Sequence, residues 1–330
     1  MRAEEHVAPM VMPATERGSH DGYKGYSTDV VVPPQQADAI RRRMYRDDYA
    51  AVGTVLPRFA ERLSDEHREH FRAHGYLAME GLLTPAEVDE AKAALSDLIA
   101  HRSGWDKKVW AQEEPCYASG AQGSASVDPE LRIRKLAYFV QMEPRLGAVA
   151  AHPRLLPVLD QLLGPGHRMI QDMALLKPPF KGSEKPWHQD TAYFDWTPLG
   201  GVLGTWIALD EATVENGCMQ VIPGTHLEGP AAHFHVRDCQ IADDRVQVGR
   251  AVVIPLQPGG ILLFSGLLQH GTPPNTSARR RRALQFHYAA AGCTHMTIHQ
   301  HGELFSEGGA YAGCRDWDLA AGMSRAVLSP

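Results

Sequence analysis

The chain has 330 residues, 44% hydrophobic and 22% charged, enough for one large core, and 33 basic against 39 acidic residues give a formal net charge of -6. That balance argues against a nucleic-acid binder, because a phosphate-binding face pushes the sum positive. No apolar run approaches the roughly 20 residues that span a bilayer, no secretory segment is visible, and five scattered cysteines without a CxxC pair predict neither a zinc knuckle nor a disulfide framework. The expectation is a cytoplasmic protein with no nucleic-acid or membrane partner; oligomeric state is not readable.

Residues 1–63 predict an N-terminal extension, partly mobile, because Gly18, Gly22, Gly25, Pro33 and Pro34 interrupt any period in its first half. A helix over 37–51 would present Arg41, Arg42 and Arg43 to solvent. A single domain is expected over 64–330. Ser64 starts a short helix that Gly75 stops, and residues 76–83 read as strand or turn. Thr84-Pro85-Ala86-Glu87 is a capping box with Pro at the first helical position, and Val88, Ala91, Leu95, Leu98 and Ile99 then share one face. Residues 103–128 form a polar loop with Trp105, Trp110 and Tyr117, either a pocket wall or a surface excursion. Residues 131–139 read as a strand and 153–163 as a helix. Short apolar runs follow at 169–176, 201–209, 218–222, 251–256, 261–264, 283–289 and 295–299, separated by Gly, Pro and Asn. Helices first and many short strands later predict an α+β, mainly β chain with a sandwich or barrel core.

Within that core, Lys185-Pro186-Trp187-His188-Gln189-Asp190 sets an imidazole and a carboxylate two residues apart, on one face if extended. A metal centre of the two-histidine, one-carboxylate type needs one more imidazole and leaves three positions open. His270 ends an apolar strand and precedes Gly271-Thr272-Pro273-Pro274-Asn275, so it is the candidate. Arg281 lies in the run Arg279-Arg280-Arg281-Arg282 at the start of a strand. An arginine pointing inward there needs an anion, and a carboxylate bound through both oxygens is its natural partner. His226, His287, His295 and His299 read as structural.

Residues 131–297 resemble the phytanoyl-CoA dioxygenase family of iron(II)- and 2-oxoglutarate-dependent oxygenases. The resemblance is carried by Trp187-His188-Gln189-Asp190 with Tyr193-Phe194, by Trp206-Ile207-Ala208-Leu209, by Glu215-Asn216-Gly217-Cys218 and Ile222-Pro223-Gly224-Thr225-His226, and by Leu267-Leu268-Gln269-His270-Gly271 with residues 281–287. It implies a double-stranded β-helix, a jelly-roll or cupin-like core over about 131–300, backed by N-terminal helices. It implies Fe(2+) on His188, Asp190 and His270, with 2-oxoglutarate and O2 as cosubstrates and ascorbate as a supporting reductant. Arg281 and Thr272 would meet the far carboxylate of 2-oxoglutarate, and Lys135, Met173 and Trp206 would line its site. Gln189, Tyr193 and Phe194 would face a small-molecule substrate. The implied reaction hydroxylates an unactivated C–H bond and releases succinate and CO2. Epimerisation, desaturation or cyclisation, a non-catalytic binding module, and a zinc hydrolase are the alternatives. Asp190 disfavours a halogenase, which needs that position vacant.

Overall fold

The computed structural model describes residues 34–101, 109–118, 127–235 and 237–306. Its helices are α1 (Pro34–Met44), α2 (Asp65–His74), α3 (Pro85–Ala100), α4 (Pro115–Ala118), α5 (Pro129–Arg132), α6 (Pro144–Ala150), α7 (Leu156–Leu163) and α8 (Ile298–Phe305). The strands up to the metal-loop region are β1 (Val55–Leu56), β2 (Tyr76–Met79), β3 (Trp110–Glu113), β4 (Ile133–Ala137), β5 (Arg168–Lys177), β6 (Lys185–His188) and β7 (Trp196–Thr197). Then follow β8 (Val202–Ala208), β9 (Met219–Val221), β10 (His233–His235), β11 (Cys239–Ile241), β12 (Val252–Ile254), β13 (Ile261–Ser265), β14 (His270–Thr272), β15 (Arg281–Ala289) and β16 (Thr294–His295).

Local chemistry sets the helix ends. Thr84 Oγ1 accepts the Glu87 N–H at 3.3 Å while Glu87 Oε2 accepts the Thr84 N–H at 2.7 Å, so α3 starts where its capping box predicts. Gly75 stops α2 with φ +79° and donates its N–H to Phe71 O, a left-handed cap that costs glycine little. The predicted apolar face of α3 is buried in full: Val88, Ala91, Leu95, Leu98 and Ile99 all join one core cluster.

One sheet runs β1-β2-β13-β8-β15-β5-β4-β3, and a second runs β12-β9-β14-β6. The mixed helix and antiparallel-sheet architecture agrees with the α+β expectation. Two apolar clusters lie on opposite faces of the larger sheet. On one face Leu77, Ile207, Leu263, Leu284 and Phe286 pack with α3, α6 and α7. On the other, Trp206, Leu262, Phe264 and Ala283 meet Met219, Val221, Val253 and Ile254 of the smaller sheet. β15 carries both logics. Leu284, Phe286 and Tyr288 face the helices, and the alternate residues Arg281, Gln285 and His287 line a cavity between the sheets. Leu95 is fully buried on the helix side. Leu95→Ala is expected to cost about 2–5 kcal/mol, read as a lower denaturant midpoint with an unchanged slope.

Several expectations change. Described parts of the expected extension over 1–63 pack against the rest of the chain. Arg41, expected on a solvated face, is buried and donates to Val214 O, Glu215 O and Thr276 Oγ1. Ala51 and Gly53 bond Val253 of β12, and β1 pairs in parallel with β2. Residues 1–33 and Trp105 lie outside the described residues. Within 103–128 the expected loop contains β3, which extends the large sheet beside β4. Of residues 295–299 only His295 lies in a strand, the end of β16, since Thr297 caps α8 with Gln300 as its reciprocal partner. Cys239 takes part in a disulfide bond, although no disulfide framework was expected. No helix among the described residues is long and apolar enough to cross a membrane.

Candidate metal centre

β6 and β14 are antiparallel neighbours, and their register sets His188 directly opposite His270. Directly paired residues in a sheet share a face, so the two imidazoles meet, with ring centroids 4.2 Å apart. The 3₁₀ turn Asp190–Tyr193 follows β6 at once and brings Asp190 Oδ1 to 3.2 Å from His188 Nε2 and 3.6 Å from His270 Nε2. The ligand atoms of His188, Asp190 and His270 all lie within 4.8 Å of one another, the sole such set of three among the described residues. Ligand atoms about 2.1 Å from a metal and at right angles are about 3.0 Å apart, so the spacing fits one octahedral face.

The nitrogen chemistry agrees. His188 Nδ1 bonds Pro186 O at 2.8 Å, and His270 Nδ1 bonds Leu268 O at 2.9 Å. A carbonyl only accepts, so each Nδ1 carries the proton and each Nε2 keeps its lone pair. Burial, then the neighbouring His270 and Lys185, pushes His188 down to about 3. Burial also lowers His270, against the pull of Asp190. Both rings are therefore neutral ligands at neutral pH. Burial works to raise Asp190, but His270 and His287 together with hydrogen bonds from His188 and His287 overcome it and hold the carboxyl well below its usual range.

Sequence reasoning missed the groups that hold Asp190. His287 Nε2 lies 2.7 Å and Gln285 Nε2 3.2 Å from Asp190 Oδ2, so that oxygen is fixed and Oδ1 is left for a metal. The signal was present: on a strand, positions four and six after Arg281 point where Arg281 points. Tyr138 was also missed. It lines the cavity with φ +65°, a left-handed conformation rare for an aromatic residue. The buried Asp172 carboxylate, accepting the Phe139 and Val140 N–H groups at 2.6 and 3.1 Å, holds that turn.

Of the arginine run, Arg280 and Arg282 pair with Glu130, Arg282 also with Asp210, and Arg279 with Glu211. Arg281 alone turns inward. It is 2% exposed, its Nη1 donates to Leu175 O at 3.0 Å, its Nε has no partner, and no described carboxylate lies within ion-pair distance. Burial lowers its pKa to about 10, which still leaves it charged. Arg281, Thr272, Met173, Lys135, Tyr193 and Phe194 all line the cavity of about 100 Å³ that His188, Asp190 and His270 also line. Trp206 does not; it lies under the Arg281 guanidinium at 5.3 Å. Gln189 does not either, which corrects its placement against substrate. Its amide donates to Gly229 O and Leu267 O and accepts the Ala231 N–H, so all its capacity serves the loop.

The donor set is that of a mononuclear non-haem iron site: two neutral imidazoles and a carboxylate on one face, with three positions free, and a buried unpaired guanidinium in the same cavity. The chain belongs to the phytanoyl-CoA dioxygenase (PhyH) family, whose model matches residues 71–283. It is 28% identical to phytanoyl-CoA dioxygenase domain-containing protein 1 of Danio rerio, over 68% of this chain and 89% of that one. It is 25% identical to the peroxisomal phytanoyl-CoA dioxygenase of Bos taurus, over 72% of this chain and 71% of that one. Among solved structures, the non-heme alpha-ketoglutarate-dependent carbocyclase SnoK from nogalamycin biosynthesis aligns with TM-score 0.56 and 24% identity, over 75% of this chain and 92% of that one. EvdO2 of Micromonospora carbonacea var. aurantiaca complexed with 2-oxoglutarate gives TM-score 0.56 and 24% identity, over 74% and 95%. At that identity the likeness speaks for the fold.

Proposed function

We propose that the protein is an iron(II)- and 2-oxoglutarate-dependent dioxygenase that hydroxylates an unactivated C–H bond of a small organic substrate. The two facing sheets are read as a double-stranded β-helix core over about 131–300, within a single domain over 64–330. One observation carries the functional reading: a complete His/Asp/His face and a buried arginine without an acidic partner among the described residues line the same cavity. A zinc hydrolase would use the three ligands but leave Arg281 unexplained. A non-catalytic scaffold would have no reason to keep either.

His188 Nε2, His270 Nε2 and Asp190 Oδ1 hold the metal. Arg281 binds the far carboxylate of 2-oxoglutarate, with Thr272 on the same wall and Trp206 supporting the guanidinium from below. Held by these residues, iron(II) and 2-oxoglutarate would supply, with O2, the oxidising chemistry. The chain supplies position and dryness. Met173, Tyr193 and Phe194 wall the space beside the metal and limit what can approach it. Phe194 sits edge-on to His287 at 4.9 Å, so the wall also steadies the ring that holds Asp190. The same residues would serve epimerisation or ring closure, the reactions for which the structurally similar epimerase SnoN and carbocyclase SnoK are named.

The test is succinate release from 2-oxoglutarate under air with ascorbate, with iron(II) and with zinc(II). Release with iron alone supports the reading; zinc-supported hydrolysis without succinate overturns it. His287→Ala is expected to weaken iron(II) binding about 10–100-fold, since second-layer partners of a ligand carry effects of that size. Anaerobic metal titration measures it.

A further inference from the structure

β6 and β14 carry the two imidazoles, yet little in the strand pair itself fixes their spacing. β6 is four residues long, β14 is three, and β6 lies at the end of the smaller sheet. Pro186 leaves β6 without an N–H to donate at that position. The register also slips, so a two-residue advance on β14 matches a three-residue advance on β6. The Nδ1 bonds of His188 and His270 run to carbonyls two residues back on their own strands. Those bonds orient each ring but do not set the distance between the rings. That distance needs support from outside the pair.

Residues 44–46, where α1 ends, supply it by crossing three strands of the smaller sheet on the side away from the cavity. On β6, Met44 O accepts the Trp187 Nε1–H at 2.6 Å. The Tyr45 ring stacks on Trp187, with centroids 5.8 Å and planes 18° apart. On β14, Tyr45 Cε1 lies 3.3 Å from where a Cβ on Gly271 would stand. On β9, the Gln220 side chain accepts the Arg46 N–H at 2.9 Å and donates to Arg46 O at 2.7 Å. Trp187 and Gly271 adjoin His188 and His270 in the chain, so strand alternation turns them to the face opposite the imidazoles. Met44, Tyr45 and Trp187 are all buried there, in an apolar cluster with Ile222 and Ala251. The Tyr45 hydroxyl adds a further hold. It donates to Glu184 Oε2 at 2.7 Å and stands 3.2 Å from Lys185 O, at the residue where the register slips. Glu184 is itself held by Arg237.

We propose that Tyr45 is a positioning residue for the metal centre: its ring, laid across β6 and β14 from behind, keeps His188 and His270 at ligand spacing. This rests on the reading of His188, Asp190 and His270 as metal ligands. The family model begins at residue 71, so the brace comes from outside the span that carries the site. Tyr45 does not line the cavity. It acts through Trp187, Gly271 and Lys185 and touches neither metal nor cosubstrate. Without the ring, β6 would rest on β14 through a short, slipped ladder alone. The two Nε2 atoms would then lose their fixed separation, and binding a metal would have to order the strands as well as fill the site. The three ligands themselves remain, so the loss of affinity is partial, unlike the loss of an imidazole.

The test compares Tyr45→Ala, Tyr45→Phe and Leu95→Ala with the wild type, all as the full chain. Leu95 lies in the core on the helix side of the larger sheet, so its variant controls for lost stability alone. Anaerobic iron(II) titration, at a temperature where every variant is folded, should show Tyr45→Ala binding about tenfold or more weaker. Tyr45→Phe keeps the ring and should stay within about threefold of the wild type, and Leu95→Ala should match the wild type. The visible spectrum of the cobalt(II) form should shift in Tyr45→Ala and not in Leu95→Ala. In the metal-free protein, hydrogen exchange in peptides covering 185–190 and 268–273 should quicken in Tyr45→Ala and not in Leu95→Ala. Should Tyr45→Ala fail to fold, Tyr45→Leu carries the same expectations. Wild-type iron affinity in the folded variant without the ring overturns the proposal. So does an equal loss of affinity in Leu95→Ala, which would make Tyr45 one more core residue. If the wild type takes up neither iron(II) nor cobalt(II), the metal reading fails by itself, and the exchange comparison still decides whether Tyr45 braces β6 and β14.

Discussion

His188→Ala and His270→Ala are each expected to abolish turnover. The two rings face one another across a single strand pair, and both are buried and neutral with Nε2 free, because Pro186 O and Leu268 O occupy the Nδ1 protons. Neither has a nearby substitute. His287, the nearest other imidazole on the site, spends Nε2 on Asp190 Oδ2. His233, also in this region, accepts the Gln189 N–H with its Nε2 at 3.0 Å and bonds Ala231 O through Nδ1. With one imidazole gone, the remaining ligands hold the ion weakly. A bound metal contributes several kcal/mol to the reaction it serves, and each 1.4 kcal/mol is tenfold in rate, so a loss on the order of 10³-fold or more follows. The measurement is succinate release with iron content determined on the same sample. Unimpaired succinate formation with normal iron content in either variant would sink the assignment.

The parts of the site that were legible in the sequence are those fixed by local geometry. His188 and Asp190 are two residues apart around a strand end, so their convergence needs no knowledge of partners. Arg281 could be singled out because it starts an apolar strand whose alternate positions must face a core. The capping box of α3 was readable for the same reason, as its hydrogen bonds span three residues. What escaped depends on pairing. Lys185 points into the cavity because of a slip between β6 and β14, and no property of Lys185 or its neighbours announces it. Arg41 reads as one of three surface arginines, yet it is the one whose position meets Val214 O, a contact across 173 residues. Tyr138 adopts φ +65° because Asp172 of a different strand holds the turn. Gln189 shows the converse error. It sits between two ligands in the chain, and strand alternation sends it outward into the Gly229 to Ala231 loop, where the amide is used up.

Arg281→Met is expected to leave a folded protein that has lost its grip on 2-oxoglutarate. Removing one partner of a buried charge pair typically costs about 2–5 kcal/mol of binding, which puts the rise in the KM for 2-oxoglutarate on the order of 10²–10³-fold. The effect on folding should run the other way from most buried arginines. An arginine in a buried salt bridge leaves an orphaned carboxylate behind when it goes, and the protein loses stability. Arg281 has no such carboxylate among the described residues, and what it would lose is one hydrogen bond to Leu175 O and its place on Trp206. Against those losses, about 1 kcal/mol each, stands relief from a buried guanidinium whose Nε has no partner. The unfolding free energy without ligand should therefore stay within about 1–2 kcal/mol of the wild type. Added 2-oxoglutarate should stabilise the wild type, because it binds only the folded state, and should do little for the variant. Arg281→Lys keeps the charge but not the two-pronged donor geometry and should fall between them. Paired denaturation curves with and without 2-oxoglutarate, alongside KM values, separate the roles: a variant that unfolds easily yet keeps its KM would make Arg281 a structural residue.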